Sequence, residues 1–243
     1  MTYCVGMRLD KGLVFMSDTR TNAGVDNVFT FRKLFTWSLP GERAIVLQTA
    51  GNLATTQAVV SLLNERMKAP GDRNPSILEA PTMFQVARLV GNTLKEVVQS
   101  QSDQGPDADS TFGATIIVGG QIAGSDPRLF LVYPEGNFIE SSDENPFFQI
   151  GEAKYGRPIL LRGYDPAMSF ADAAKLLLLS FESTLKANLS VGMPFDLLVY
   201  PEGSFSVDKT RRIAADDAYF QTLSTAWAEG IKEAIAGLPD FEL

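Results

Sequence analysis

The sequence contains no histidine and a single cysteine, Cys4. Each absence closes off chemistry. Without histidine there is no Ser-His-Asp triad, no Cys-His pair and no histidine-ligated zinc. One cysteine excludes an intrachain disulfide framework and a cysteine-rich metal site. Basic runs are scarce too. The longest is Arg211-Arg212, and 21 Lys+Arg stand against 29 Asp+Glu, a net charge of −8. Phosphate contact needs a basic face, so a nucleic-acid binder is disfavoured. No apolar run approaches the roughly 20 residues of a membrane span. The greasiest, Leu176 to Leu179, is bracketed by Lys175 and Glu182. Residues Met1 to Gly6 lack the basic start and apolar core of a signal peptide, so the expected location is cytoplasmic. What is present is ordinary for a globular chain: 45% hydrophobic and 21% charged residues over 243 positions. No compositional break divides them, and residues 1–243 are read as a single domain with a sizeable core.

Hydrophobic periodicity outlines the elements. Tyr3 to Leu9 reads as a strand, Asp10-Lys11-Gly12 as a turn and Leu13 to Ser17 as the returning strand. Strands are also expected over Arg32 to Thr36 and Arg43 to Thr49. Asn52 is a plausible cap for a helix carrying Leu53, Val59, Val60 and Leu63. Phe84, Ala87, Val90, Gly91, Leu94, Val97 and Val98 follow the i, i+3, i+4, i+7 spacing of one buried helix face. Gly105 to Ser110 reads as an acidic loop. Further strands fall at Phe112 to Val118, Leu129 to Tyr133 and Phe195 to Tyr200. Ser169 and Asp172 form a capping box before a leucine-rich helix, and Phe220 to Ile235 is a last amphipathic helix. The pentapeptide Val-Tyr-Pro-Glu-Gly occurs at 132–136 and again at 199–203, each time as a hairpin tip. Runs of strands followed by helices suggest packed sheets with helices outside, and the lack of βαβ alternation argues against a dinucleotide-binding fold.

Few groups could move a proton near neutral pH. The nearest in unperturbed pKa are the α-amine, at about 7.7–8.0, and the Cys4 thiol, at about 8.5. Cys4 alternates with apolar neighbours and reads as a buried, quiet residue. The amine would sit on Thr2 if Met1 were removed, placing a hydroxyl nucleophile and a base on adjacent carbons. Lys33 falls in an alternating stripe with Phe29, Phe31 and Phe35. It is either snorkelling at an edge or buried and paired, with Asp18 the candidate partner. Gly51-Asn52, between strand and helix, could bring bare N–H groups to an oxyanion or could be a simple turn. Gly151 to Gly156 has phosphate-loop spacing, but Arg157-Pro158 replaces the required Lys and Ser/Thr. Asp103, Asp107 and Asp109 lack calcium-loop spacing and read as a solvated loop. No metal or cofactor is expected.

Several phrases taken together resemble a known family: Thr2-Tyr3-Cys4-Val5-Gly6, Ser17-Asp18-Thr19-Arg20-Thr21-Asn22-Ala23-Gly24, Lys33 and Thr49-Ala50-Gly51-Asn52. They are similar to a proteasome β subunit, and most of all to the bacterial ancestral-β-subunit (Anbu) group of proteasome-type peptidases. Ile150-Gly151-Glu152-Ala153-Lys154-Tyr155-Gly156-Arg157-Pro158 looks typical of that group as well. The resemblance implies the N-terminal nucleophile (Ntn) hydrolase fold, an α+β four-layer αββα sandwich. It implies Thr2 as nucleophile, its amine as base, Lys33 as the cation beside the hydroxyl, Asp18 as the holder of Lys33 and Gly51 as oxyanion donor. Arg20 and Thr21 would receive the substrate as an added strand. Asn188, Ser190 and Gly192 stand where proteasomes carry an Asp-x-x-Ser-Gly supporting cluster, with asparagine in place of the aspartate. The implied activity is a threonine-type endopeptidase acting on peptides or unfolded proteins in a homo-oligomeric ring or spiral. An ATPase or adaptor would supply any unfolding. An inactive assembly scaffold or peptide-binding protein, and an amidase acting on small molecules, are the alternatives on the same fold.

Overall fold

A hairpin opens the chain. In the computed structural model, which describes residues 2–22, 28–68, 76–102 and 112–242, strands β1 (Tyr3–Leu9) and β2 (Gly12–Ser17) pair antiparallel, Cys4 opposite Ser17. Both strands are buried on two faces, so their side chains divide with period two. Tyr3, Val5, Met7, Val14 and Met16 pack toward one helical layer. Cys4, Leu13 and Phe15 pack toward the second sheet.

Two short strands, β3 (Arg20–Asn22) and β4 (Val28–Thr30), form a separate ribbon. Then β5 (Leu34–Leu39) and β6 (Arg43–Gly51) lead to helix α1 (Leu53–Lys68) and helix α2 (Met83–Ser102). Strands β7 (Ala114–Ile122), β8 (Arg128–Val132), β9 (Phe138–Glu140) and β10 (Phe147–Gly151) follow. Helices α3 (Ala153–Gly163) and α4 (Phe170–Ala187), strands β11 (Phe195–Pro201) and β12 (Thr210–Ile213), and helix α5 (Ala218–Ala236) complete the order.

One sheet runs β10-β1-β2-β11-β12 and the other β5-β6-β7-β8-β9, all neighbours antiparallel. Between the sheets lies a core of Leu13, Phe15, Val46, Ile117, Leu129 and Leu198. Helices α1 and α2 cover the second sheet through Val59, Leu63, Val90 and Leu94. Helices α3 and α4 cover the first through Leu160, Leu177 and Phe181. The result is the expected four-layer αββα sandwich of the Ntn type.

Local signals hold where they are chemical. The Asn52 side chain accepts the Thr55 N–H at 3.1 Å, capping α1. Ser169 accepts the Asp172 N–H at 3.1 Å, closing the box at α4. Both Pro-Glu-Gly tips turn between paired strands, β8 to β9 and β11 to β12. The stripe through Phe29, Phe31, Lys33 and Phe35 is not a single strand face. Strand β4 ends at Thr30 and pairs with β3, while β5 starts at Leu34 in another sheet. The chain changes sheets across residues 31–33, and the period of two breaks there. Phe29 is consequently 50% exposed, while Leu34 is buried directly beside Lys33. Helix α3 carries Pro158 inside it. The acidic loop at Gly105 to Ser110, with Asp103, Asp107 and Asp109, lies outside the described residues, as do Met1 and Ala23-Gly24.

Candidate active site

Thr2 stands at the head of β1, held from two sides. Its carbonyl accepts the Glu152 N–H at 2.7 Å, just past the end of β10. The next residue, Tyr3, donates its N–H to the Asp18 carboxylate at 3.0 Å, and its carbonyl accepts the Asp18 N–H at 3.0 Å. The Tyr3 side chain is an anchor as well. Its hydroxyl meets Ser180 Oγ of α4 at 2.6 Å and accepts from Gln149 of β10 at 2.6 Å, while the ring packs on Phe181. Thr2 therefore cannot shift without pulling a buried tyrosine out of a hydrogen-bonded socket.

Asp18 follows directly on β2 and is fully buried. Its Oδ1 accepts from Lys33 Nζ at 2.7 Å and its Oδ2 from the Gly192 N–H at 3.3 Å. Lys33, 4% exposed, also donates to the Arg20 carbonyl at 2.5 Å. The choice left open by the sequence is settled: Lys33 is buried and paired. Burial pushes the Asp18 carboxyl above its ordinary value, and the Lys33 ammonium acts against that, helped by the N–H groups of Tyr3 and Gly192. Burying either charge alone would cost several kcal/mol, so the pair persists because each partner is desolvated with the other and further hydrogen-bonded.

Thr2, Thr21, Lys33 and Gly51 line one cleft of about 220 Å³, together with Arg32, Thr49, Ala50, Asn52, Leu53 and Thr56. The direction of the Gly51 N–H follows from strand alternation. The Thr49 N–H points toward β5 and meets the Lys33 carbonyl at 3.0 Å. Two residues on, the Gly51 N–H points to the same side, beyond the last β5–β6 pair, Leu34 opposite Gln48. Gly51 has φ +115°, and a Cβ there would lie 2.5 Å from the Gly113 carbonyl, so no larger residue fits.

The remaining candidates separate. Gly192 joins the site through Asp18. The Arg20 side chain turns away, donating to the Leu189 carbonyl at 2.8 Å. Asn188 and Ser190 bond each other, the asparagine carbonyl accepting both the Ser190 N–H, at 3.0 Å, and its hydroxyl. That closes a local turn rather than a contact with Thr2 or Lys33. Cys4 is buried and donates weakly to the Thr49 carbonyl, and burial first, then the Asp18 charge, pushes its thiol well above the ordinary value. The Tyr3–Ser180–Gln149 socket escaped the sequence reading. A tyrosine among buried strand residues does signal a need for a hydroxyl partner. The partner itself lies 177 residues away.

A helix-flanked double sheet with a threonine heading the first strand and a buried lysine beside it is a proteasome-type architecture. A family model described as proteasome subunit matches residues 2–199, and the chain belongs to that family. Its place is in the Anbu, or ancestral-β-subunit, group. It is 50% identical to an Anbu (Gly-1) mutant from Hyphomicrobium sp. strain MC1, covering 100% of both chains at a TM-score of 0.92. It is 45% identical to Anbu from Yersinia bercovieri, with the same coverage and a TM-score of 0.92. A helical assembly of the Anbu complex from Pseudomonas aeruginosa matches at 46% identity and TM-score 0.92, over 99% of this chain and 98% of that one. No match appears among curated proteins. No described helix is long and apolar enough to cross a membrane.

Proposed function

We propose that this chain is a threonine-type peptide hydrolase that works inside a self-assembled oligomer. The observation that carries the reading is the buried Lys33–Asp18 pair opening on the same cleft as Thr2. A cation held immobile beside a hydroxyl favours its alkoxide character, and Asp18 fixes this one in place from behind. With Met1 gone, the Thr2 α-amine, ordinarily near pKa 7.7–8.0, serves as base. The hydroxyl oxygen bonds to the peptide carbonyl carbon while its proton passes to the amine. The oxyanion that forms meets the Gly51 N–H. The proton then moves to the departing nitrogen as the C–N bond breaks, leaving an ester on Thr2. Water cleaves that ester and restores the hydroxyl. The substrate, a peptide or unfolded protein, lies along Arg20-Thr21 as an extra strand. The helical assembly of the Pseudomonas relative supports an oligomeric working form, ring or spiral, which would enclose the sites. An ATPase or adaptor is the partner class that would feed it.

The test is intact mass after exposure to a threonine-directed electrophile, for protein made in its own host. Loss of one methionine and a single adduct that vanishes in Thr2→Ala is the expected result. An adduct that survives Thr2→Ala would move the nucleophile elsewhere.

A second reading, an assembly scaffold that binds peptides without cleaving them, draws on Asn188. The supporting aspartate of proteasomes is replaced, and the asparagine's carbonyl is occupied by Ser190. Retained Met1 with no adduct, and peptide binding intact, would favour it. Turnover of small amides but not of peptides would favour an amidase.

A further inference from the structure

The cleft beside Thr2 has an unusual lining for a pocket that receives a side chain. Its walls carry three threonines besides Thr2 (Thr21, Thr49 and Thr56), two cations (Arg32 and Lys33) and no acidic side chain. Ala50 and Leu53 are its only apolar side chains, and no aromatic ring lines it. An apolar substrate residue would find apolar contact only at Ala50 and Leu53, while its burial would strip water from the Arg32 guanidinium with no counter-charge in return.

The charges do not cancel. Lys33 is balanced by Asp18 behind it, but Arg32 forms no ion pair among the described residues and stands exposed at the rim. The cleft also meets the start of α1, where Asn52 and Leu53 line it and no acidic residue occupies the first turn. The positive end of that helix therefore reinforces Arg32. On a chain of net charge −8, this is a locally positive, hydrogen-bonding pocket.

We propose that the cleft selects a carboxylate: the residue supplying the attacked carbonyl is glutamate or aspartate, held by the Arg32 guanidinium at the cleft mouth. The assignment rests on Thr2 being the nucleophile only for the word "attacked"; the recognition of the carboxylate stands on the lining itself. Arg32 sets specificity and exchanges no proton in the reaction. A charge-assisted contact of this kind gives about a tenfold preference over the uncharged isostere, and the preference weakens with salt because Arg32 is at the rim.

The experiment uses the full assembled protein and peptides identical except at one residue, with glutamate, glutamine, leucine, tyrosine or arginine there. Each is prepared in two forms. One carries a fluorophore and a non-cleavable terminus, and binding is read by anisotropy. The other ends in a threonine-directed electrophile, and the rate of Thr2 labelling is read by mass. The glutamate peptide is expected to bind about tenfold tighter than the glutamine peptide, with that ratio falling to about one in Arg32→Gln. Equal affinities, or tighter binding of the leucine or tyrosine peptide, would overturn the proposal. Binding that discriminates while no peptide labels Thr2 would sink the nucleophile and leave the carboxylate pocket standing. A glutaryl amide lacking any peptide, bound as well as the glutamate peptide, keeps carboxylate recognition and makes the ligand a small acid amide.

Discussion

Tyr3 and Lys33 donate to the same carboxylate oxygen of Asp18, the Tyr3 amide at 3.0 Å and the Lys33 ammonium at 2.7 Å. One atom thus ties the strand that carries Thr2 to the cation that faces it. Position and charge at the site are not independent, and a change at Asp18 disturbs both.

Removing one member of the buried pair should be far worse than removing both. Lys33→Met leaves a buried carboxylate with no counter-charge and is expected to destabilise the fold by about 3–5 kcal/mol. Lys33→Met with Asp18→Asn should recover much of that loss. Urea unfolding measures the difference, and the Thr2 adduct should be absent from both. A single variant as stable as the wild type would show that the charges are not buried together.

Alkaline pH should unfold the protein through its tyrosines. Burial pushes Tyr3 up to about 12, against the Ser180 and Gln149 hydrogen bonds, and burial likewise pushes Tyr164 up to about 12. Because the folded values are raised, the unfolded chain loses these protons first. The stabilising contribution is full below pH ~10 and disappears as pH rises through about 12. Absorbance titration should show a late tyrosinate fraction in native protein that moves to pH ~10 in urea. Tyr3→Phe and Tyr164→Phe should each shrink it.

Cys4 should be inert. It is buried, its thiol is pushed up by burial, and it lies between apolar neighbours. Thiol reagents are expected to leave native protein unmodified and to react once per chain in denaturant. Fast native labelling, or loss of activity with it, would point to cysteine chemistry instead.

Gly51→Ala should damage the site more than the fold. The new Cβ would meet the Gly113 carbonyl at 2.5 Å with φ at +115°, forcing the β6–α1 junction to move. A stability loss of about 1–3 kcal/mol is expected, with Thr2 labelling by peptide electrophiles reduced about 100-fold, the scale of losing an oxyanion donor. Unchanged labelling would remove Gly51 from the mechanism.

Much of this protein is legible without coordinates, for reasons that are local. A period of two marks β1 and β2 because side chains alternate on any strand. A period of 3.6 marks α2, and short polar side chains mark the helix starts at Asn52 and Ser169 because their reach is only three residues. For the candidate site, elimination narrowed the choice and the family resemblance supplied the roles. With no histidine and one buried cysteine, Thr2 and Lys33 are among the few groups left with suitable chemistry. The tertiary structure decided everything that depends on sheets meeting. It moved the chain from one sheet to another across residues 31–33, burying Lys33 where a simple stripe would have aligned it with Phe29. It brought the Gly192 N–H to Asp18 from 174 residues away and Ser180 to Tyr3 from 177. It also turned the Arg20 side chain away from the cleft and left Arg32 at its mouth. Periodicity reports which face of an element is buried. Which charges share that burial depends on contacts between distant segments, and no local pattern carries that information.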